Sequence, residues 1–135
     1  MNHKFELFSQ CEAVVCDLDG TLYLDNIPFS YSFDFLEKIL ASGRKLFYFT
    51  NNSSRSRETY IEKLKKIGFP SKDEYLITST DCADSYLKRH SLFPDIYLVG
   101  NRDLVKDFEN RDFNCLSDKD ALNGQPAAVV LGFDT

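Results

Sequence analysis

Two short apolar runs, each closed by a polar residue, constrain this chain more than any other feature. Ala13-Val14-Val15-Cys16 ends in Asp17, and Leu46-Phe47-Tyr48-Phe49 ends in Thr50. Runs without polar alternation suit strands buried on both faces, as parallel strands are. Between them Phe33, Leu36 and Leu40 recur at helical spacing, with Ser32 as a candidate cap and Gly43 as a stop. Strand, helix and strand in that order read as a βαβ unit.

The alternation continues. Tyr60, Leu64 and Ile67 mark a helix face ended by Gly68, with Pro70 beyond. Tyr75-Leu76-Ile77 is a short strand. Ser79 or Thr80 can cap a helix carrying Ala83, Tyr86 and Leu87. Ile96-Tyr97-Leu98-Val99 is a further strand, and Asn101 can cap a helix with Leu104 and Phe108 on one face. Residues 110–125 are rich in Asp, Asn and Gly and read as a loop, and a last apolar strand covers 127–131. The expectation is an α/β fold, a Rossmann-like parallel sheet with helices on both faces. That last strand is followed by no helix to cover it. Parallel strands are covered on both faces, so the chain is expected to be the front portion of a longer protein.

Composition narrows the function. The 135 residues carry 12 Phe and 7 Tyr, enough bulk for a core and against disorder. A formal charge of −5 argues against a nucleic-acid partner, and no run reaches the length of a membrane helix. Residues 1–10 carry Lys4 and Glu6 and do not read as a secretory signal. Cys11, Cys16, Cys82 and Cys115 include no C-x-x-C pair, so they read as reduced thiols serving as small apolar residues in a cytoplasmic protein.

Chemistry concentrates where the first strand ends, at Asp17-Leu18-Asp19-Gly20-Thr21. In open parallel sheets ligands bind beyond the carboxyl ends of the strands. Period-two alternation sends Asp17 and Asp19 the same way. Two neighbouring carboxylates repel unless one is protonated or a cation lies between them, and Mg2+ suits hard oxygen donors. Gly20 lets the chain leave the strand, and the Thr21 hydroxyl can brace the turn. Thr50 stands 33 residues after Asp17, as suits two adjacent strand ends. Thr50, Asn51 and Asn52 offer a hydroxyl and amides to a phosphate; the alternative is a polar cap for the following helix.

The segment 17–21 resembles the first motif of the haloacid dehalogenase-like superfamily, Asp-x-Asp-x-Thr after the first strand. Thr50 resembles its second motif, a Ser or Thr ending strand two. The resemblance implies a phosphatase using Mg2+. Asp17 would be the nucleophile, forming an aspartyl-phosphate, and a metal ligand. Asp19 would be the general acid and base, with its backbone carbonyl on the metal. Thr50, Asn51 and Asn52 would hold the phosphoryl group. Thr21 to Asp25 and Thr50 to Ser53 look like the p-nitrophenylphosphatase, phosphoglycolate phosphatase and nucleotide monophosphatase branch, in which an α/β cap enters after the third core strand and its helix. Residues 1–93 then correspond to the front of the catalytic core. Residues 94–135, including Val129 to Asp134, correspond to the opening of the cap. The resemblance implies a phosphorylated small molecule as substrate and a homodimer through the cap.

The family also uses a lysine on a later core strand and a later acidic motif. Nothing after Thr50 fits either; Lys106, Lys119, Asp118 and Asp120 lie in the cap-like stretch. These 135 residues alone are therefore expected to turn over little phosphate. One alternative is a non-catalytic phosphate- or metal-binding short form, or a regulatory partner. Another is a phosphoacceptor signalling domain, which uses strand-end carboxylates but places the acceptor on its third strand, where this chain has Ile77-Thr78.

Overall fold

A computed structural model describes residues 10–72 and 75–132. Within them the order is β1 (Ala13–Asp17), β2 (Tyr23–Leu24), β3 (Ile27–Pro28), α1 (Ser32–Ala41), β4 (Lys45–Thr50), α2 (Arg57–Ile67), β5 (Leu76–Thr78), α3 (Ser79–Arg89), β6 (Asp95–Val99), α4 (Arg102–Glu109), β7 (Asn114–Cys115), α5 (Asp118–Asn123) and β8 (Ala128–Leu131). The α/β alternation read from the sequence is the alternation the chain adopts. The contacts divide the chain into two units. Residues 1–50 and 61–77 form one, and residues 51–60 and 78–135 the other. The end of β5 and all of α3 thus fall in the second unit, and α2 passes from the second unit to the first after Tyr60.

The first unit is built on a sheet ordered β1-β4-β5. β1 and β4 run parallel with Ala13 opposite Lys45 and Asp17 opposite Phe49. Leu46 and Tyr48 are buried on β4, and Leu36 and Ile39 on α1. Tyr23 is fully buried, and Phe69 meets the edge of Phe33 with ring centroids 5.0 Å apart. Gly43 and Gly68 close α1 and α2 at φ 75° and 93°, backbone that glycine reaches without strain. β2 and β3 form a small antiparallel hairpin between β1 and α1, which the sequence reading omitted. Its strands are two residues long, too short to show a period.

Several local expectations need correcting. Ser32 does not cap α1. Tyr31 holds the cap position without a side-chain capping bond, and the Ser32 hydroxyl is buried, donating to the Leu22 carbonyl at 2.6 Å. The buried face of α1 is Ser32, Leu36 and Ile39, while Phe33 and Leu40 are only partly covered. Val15 is 60% exposed, so β1 is not covered on both faces within this chain.

The second unit has its own parallel sheet, ordered β7-β6-β8. Leu87, Ile96, Leu104, Phe108 and Phe113 are its core. Asn101 caps α4 as expected, accepting from the Leu104 N–H. The cap of α3 is Thr78, rather than Ser79 or Thr80. Its hydroxyl accepts from the Asp81 N–H while the Asp81 carboxylate accepts from the Thr78 N–H, a reciprocal capping box. Tyr86 on that helix is exposed. The polar stretch 110–125 is more than a loop, since it holds β7 and α5, the latter capped by Ser117. β8 lies at the sheet edge with Val129 64% and Leu131 79% exposed. Phe133, Asp134 and residues 1–9 lie outside the described residues.

None of the four cysteines is in a disulfide. Cys16 is buried and Cys115 packs on the second core, but Cys11 and Cys82 are exposed, so only the first pair serves as apolar filling. Among the described residues no helix is long and apolar enough to cross a membrane.

Candidate functional site

In the first unit the acidic turn grows directly out of β1. Asp17 is the last strand residue, and the alternation persists past it. Leu18 is fully buried while Asp17 and Asp19 on either side are exposed. The backbone then folds back on itself. The Gly20 N–H donates to the Tyr23 carbonyl at 2.8 Å, and the N–H groups of Thr21 and Leu22 donate to the Leu18 carbonyl. Gly20 sits at φ 81° with nothing near the place a Cβ would occupy, so its glycine answers to conformation, not crowding.

Side chains fix the turn further. The Thr21 hydroxyl donates to Asp17 Oδ2 at 2.7 Å, the bracing contact expected of it. Tyr31 donates its hydroxyl to the Thr21 carbonyl at 2.6 Å, and Ser32 holds the Leu22 carbonyl. The start of α1 therefore pins the acidic turn through two hydroxyls.

One participant escaped the sequence reading. Lys63, on α2, brings its ammonium to 3.3 Å from Asp19 Oδ1 and 4.0 Å from the centre of the Tyr23 ring. Its side chain is only 10% exposed. The signal was present: Lys63 shares the stripe of Tyr60, Leu64 and Ile67, where a solvated lysine would not be expected. A nearly buried ammonium takes the partners available, here a carboxylate and an aromatic face.

Thr50 ends β4, one residue beyond the partner of Asp17. It is 1% exposed and follows the alternation of Leu46 and Tyr48 on the covered face. Asp17, Asp19 and Thr50 thus belong to one unit, at the carboxyl ends of adjacent parallel strands. Asn51 and Asn52 follow in the chain but are assigned to the second unit. Asn52 Oδ1 accepts from the Ser54 N–H at 2.9 Å, a local turn contact. The helix beyond is served by Ser56, whose hydroxyl accepts from the Thr59 N–H at 3.4 Å, so neither Asn51 nor Asn52 is its cap. Arg57 is held by Asp81 at 2.7 Å.

Asp17 and Asp19 present hard oxygen donors on one side of a rigid turn, which fits an Mg2+ ion that keeps waters and takes only one or two carboxylates. Among the described residues no group of three His, Cys, Asp or Glu is arranged to hold a metal. The turn presents two exposed carboxylates two residues apart, and the neighbouring strand ends in the covered Thr50 hydroxyl.

A family model described as haloacid dehalogenase-like hydrolase matches residues 14–114, and the chain belongs to that family. Among its relatives, glycerol-3-phosphate phosphatase of Gallus gallus is 31% identical over 145 residues, covering 95% of this chain and 46% of that protein. The 4-nitrophenylphosphatase of Thermotoga maritima superposes with a TM-score of 0.79 at 32% identity, over 93% of this chain and 46% of that one. Glycerol phosphate phosphatase of Mycobacterium tuberculosis, solved in complex with magnesium, shares the fold with a TM-score of 0.77 at 22% identity, over 94% of this chain and 37% of that one. The chain spans less than half the length of each of these relatives.

Proposed function

We propose that this chain carries the nucleophile half of a magnesium-dependent phosphomonoester hydrolase. The observation that carries the reading is the pairing of strand ends. Asp17 closes β1, Thr50 closes the parallel strand beside it, and a braced turn carries Asp19 between β1 and the hairpin. The family match across 14–114 and the phosphatase names of the relatives add support.

In this reading a carboxylate oxygen of Asp17 attacks phosphorus, forming a P–O bond as the ester P–O bond breaks. The departing alkoxide takes a proton from the Asp19 carboxyl. Asp19, now a carboxylate, then takes a proton from water as that water attacks phosphorus, freeing Asp17 and inorganic phosphate. Thr50, Asn51 and Asn52 hold the non-bridging oxygens by hydrogen bonds. Asp17 and the Asp19 backbone carbonyl would hold Mg2+, which offsets phosphoryl charge when bound. Lys63 keeps Asp19 aligned through its charge contact. Residues 1–93 are the front of the catalytic core and 94–135 the opening of a cap. The same family resemblance supports a homodimer through that cap, and four cysteines that form no disulfide support a cytoplasmic location.

The test is magnesium-dependent release of phosphate from 4-nitrophenyl phosphate by the full product of the gene. Asp17→Asn is expected to lower the rate on the order of 10³-fold or more. Unchanged turnover excludes Asp17 as nucleophile. Phosphate binding without turnover in the unsubstituted protein favours the non-catalytic short form instead.

A further inference from the structure

Lys63 meets two residues of the acidic turn and its hairpin, and both contacts lie within the first unit. Its ammonium donates to Asp19 Oδ1 at 3.3 Å and stands 4.0 Å from the centre of the Tyr23 ring. Asp19 and Tyr23 are themselves joined by a β-bridge, and the Gly20 N–H donates to the Tyr23 carbonyl. One side chain therefore grips both ends of the loop that carries the second carboxylate.

The lysine end of this pair is ordered by packing. Lys63 precedes Leu64, which is fully buried on α2, and its side chain is 10% exposed against 41% for Asp19. A pair between two mobile surface chains gains little, because ordering both offsets the attraction. Here the stem of Lys63 is already covered, and the Tyr23 face holds its charge. Asp19 is the partner that gains order. The turn pins its backbone, and the ammonium sets the rotation of its side chain.

We infer that Lys63 is a positioning residue that sets how poor a leaving group the enzyme can expel: it aims the Asp19 carboxyl at the ester oxygen and touches no phosphoryl oxygen itself. The inference rests on the phosphatase reading, which gives Asp19 the proton transfers. An ammonium bound to Oδ1 assigns the transferred proton to Oδ2. That proton passes to the ester oxygen as the P–O bond breaks, and Oδ2 later takes one from the attacking water. Such transfers depend on alignment, and a misplacement of about 1 Å costs on the order of 10²-fold. The cost falls unevenly. A 4-nitrophenolate leaves as a stable anion and needs little help from a proton. The phenolate released from phenyl phosphate is more basic and needs more. Attack by water needs the base whichever alcohol has left.

The experiment compares phenyl phosphate with 4-nitrophenyl phosphate, two esters of like shape, on the full product of the gene with magnesium present. Lys63→Met keeps the stem over Tyr23 and removes the ammonium. Its kcat/KM, which stops at the first irreversible step, is expected to fall on the order of 10²-fold for phenyl phosphate and about threefold or less for 4-nitrophenyl phosphate. Hydrolysis of the aspartyl-phosphate then lags, so rapid mixing with 4-nitrophenyl phosphate is expected to show a burst of 4-nitrophenol ahead of phosphate. Lys63→Arg is expected to recover most of the phenyl phosphate rate. Lys63→Met added to Asp19→Asn is expected to cost less than about twofold more, because it acts through the group already removed. An equal fall in kcat/KM for both esters, or a large further loss in the Asp19→Asn background, makes Lys63 a structural or phosphate-binding residue; the inference is then wrong and the phosphatase reading survives. If Asp19→Asn itself treats the two esters alike, Asp19 is not the acid, and the inference falls with that assignment. No magnesium-dependent turnover of either ester by the unsubstituted protein removes both readings.

Discussion

At the scale of single residues, the acidic turn shows how few atoms decide the site. Gly20 adopts φ 81° with open space around it, so Gly20→Ala introduces backbone strain and no clash. The expected cost is about 1 kcal/mol, read by urea denaturation of the chain. A cost of several kcal/mol would mean that the turn is packed more tightly than its surroundings indicate. The turn at Asp17, Asp19 and Gly20 was legible in the sequence because an apolar run closed by an acidic residue and followed by glycine marks where a strand ends. Lys63 was not. Its partner Asp19 is 44 positions away, and only its intrusion into an apolar stripe hinted at burial. Ser32 was misread for a related reason. A serine ahead of an apolar period looks like a cap until the Leu22 carbonyl, ten positions back, is found to need its hydroxyl.

At the scale of elements, α3 depends on one carboxylate. Asp81 closes the capping box and also receives Arg111 at 2.8 Å and Arg57 at 2.7 Å. Burial pushes its carboxyl up, but the Thr78 N–H and hydroxyl with the two guanidinium groups outweigh it and hold the group below its ordinary value of 3.8. A carboxylate depressed in the folded state contributes stability above its unfolded value, and that contribution is lost as pH falls through the lower folded value. Asp81→Asn is therefore expected to cost about 2 kcal/mol at neutral pH and to flatten the loss of stability below pH 3.8. Denaturation midpoints of both proteins across acid pH check it; parallel curves would contradict it. Tyr48 on β4 is the opposite case. It is fully buried, its hydroxyl lacks a hydrogen-bond partner, and burial, with Cys16 and Tyr75 nearby, pushes its ionisation far up. Tyr48→Phe is expected to be neutral or stabilising by up to about 1 kcal/mol, since no bond is lost and an unpaired hydroxyl leaves the core. A thermal melt decides it, and a clear destabilisation would reveal a partner. The strands themselves were legible because their apolar runs are long enough to carry a pattern. The two-residue β2, β3 and β7 carry none.

At the scale of the whole molecule, the α/β alternation and its parallel pairing followed from the periodicity of β1, α1 and β4. The division into two units did not. It assigns residues 51–60 and α3 together with 95–132, an association made by contacts such as Arg57 with Asp81 and Asn101 with the Ser54 carbonyl, and no local pattern announces either. Edge strands in both sheets leave Val15, Val129 and Leu131 exposed, where parallel sheets are ordinarily covered. The chemistry proposed for the chain converges on one covalent bond, between phosphorus and Asp17. Its most direct measurement is acid quenching of the full gene product during turnover of a ³²P-labelled phosphomonoester, followed by peptide mapping. Label on the peptide containing residue 17, released by hydroxylamine and absent from Asp17→Asn, is the expected result. Label on another residue, or turnover that persists in Asp17→Asn, would contradict it.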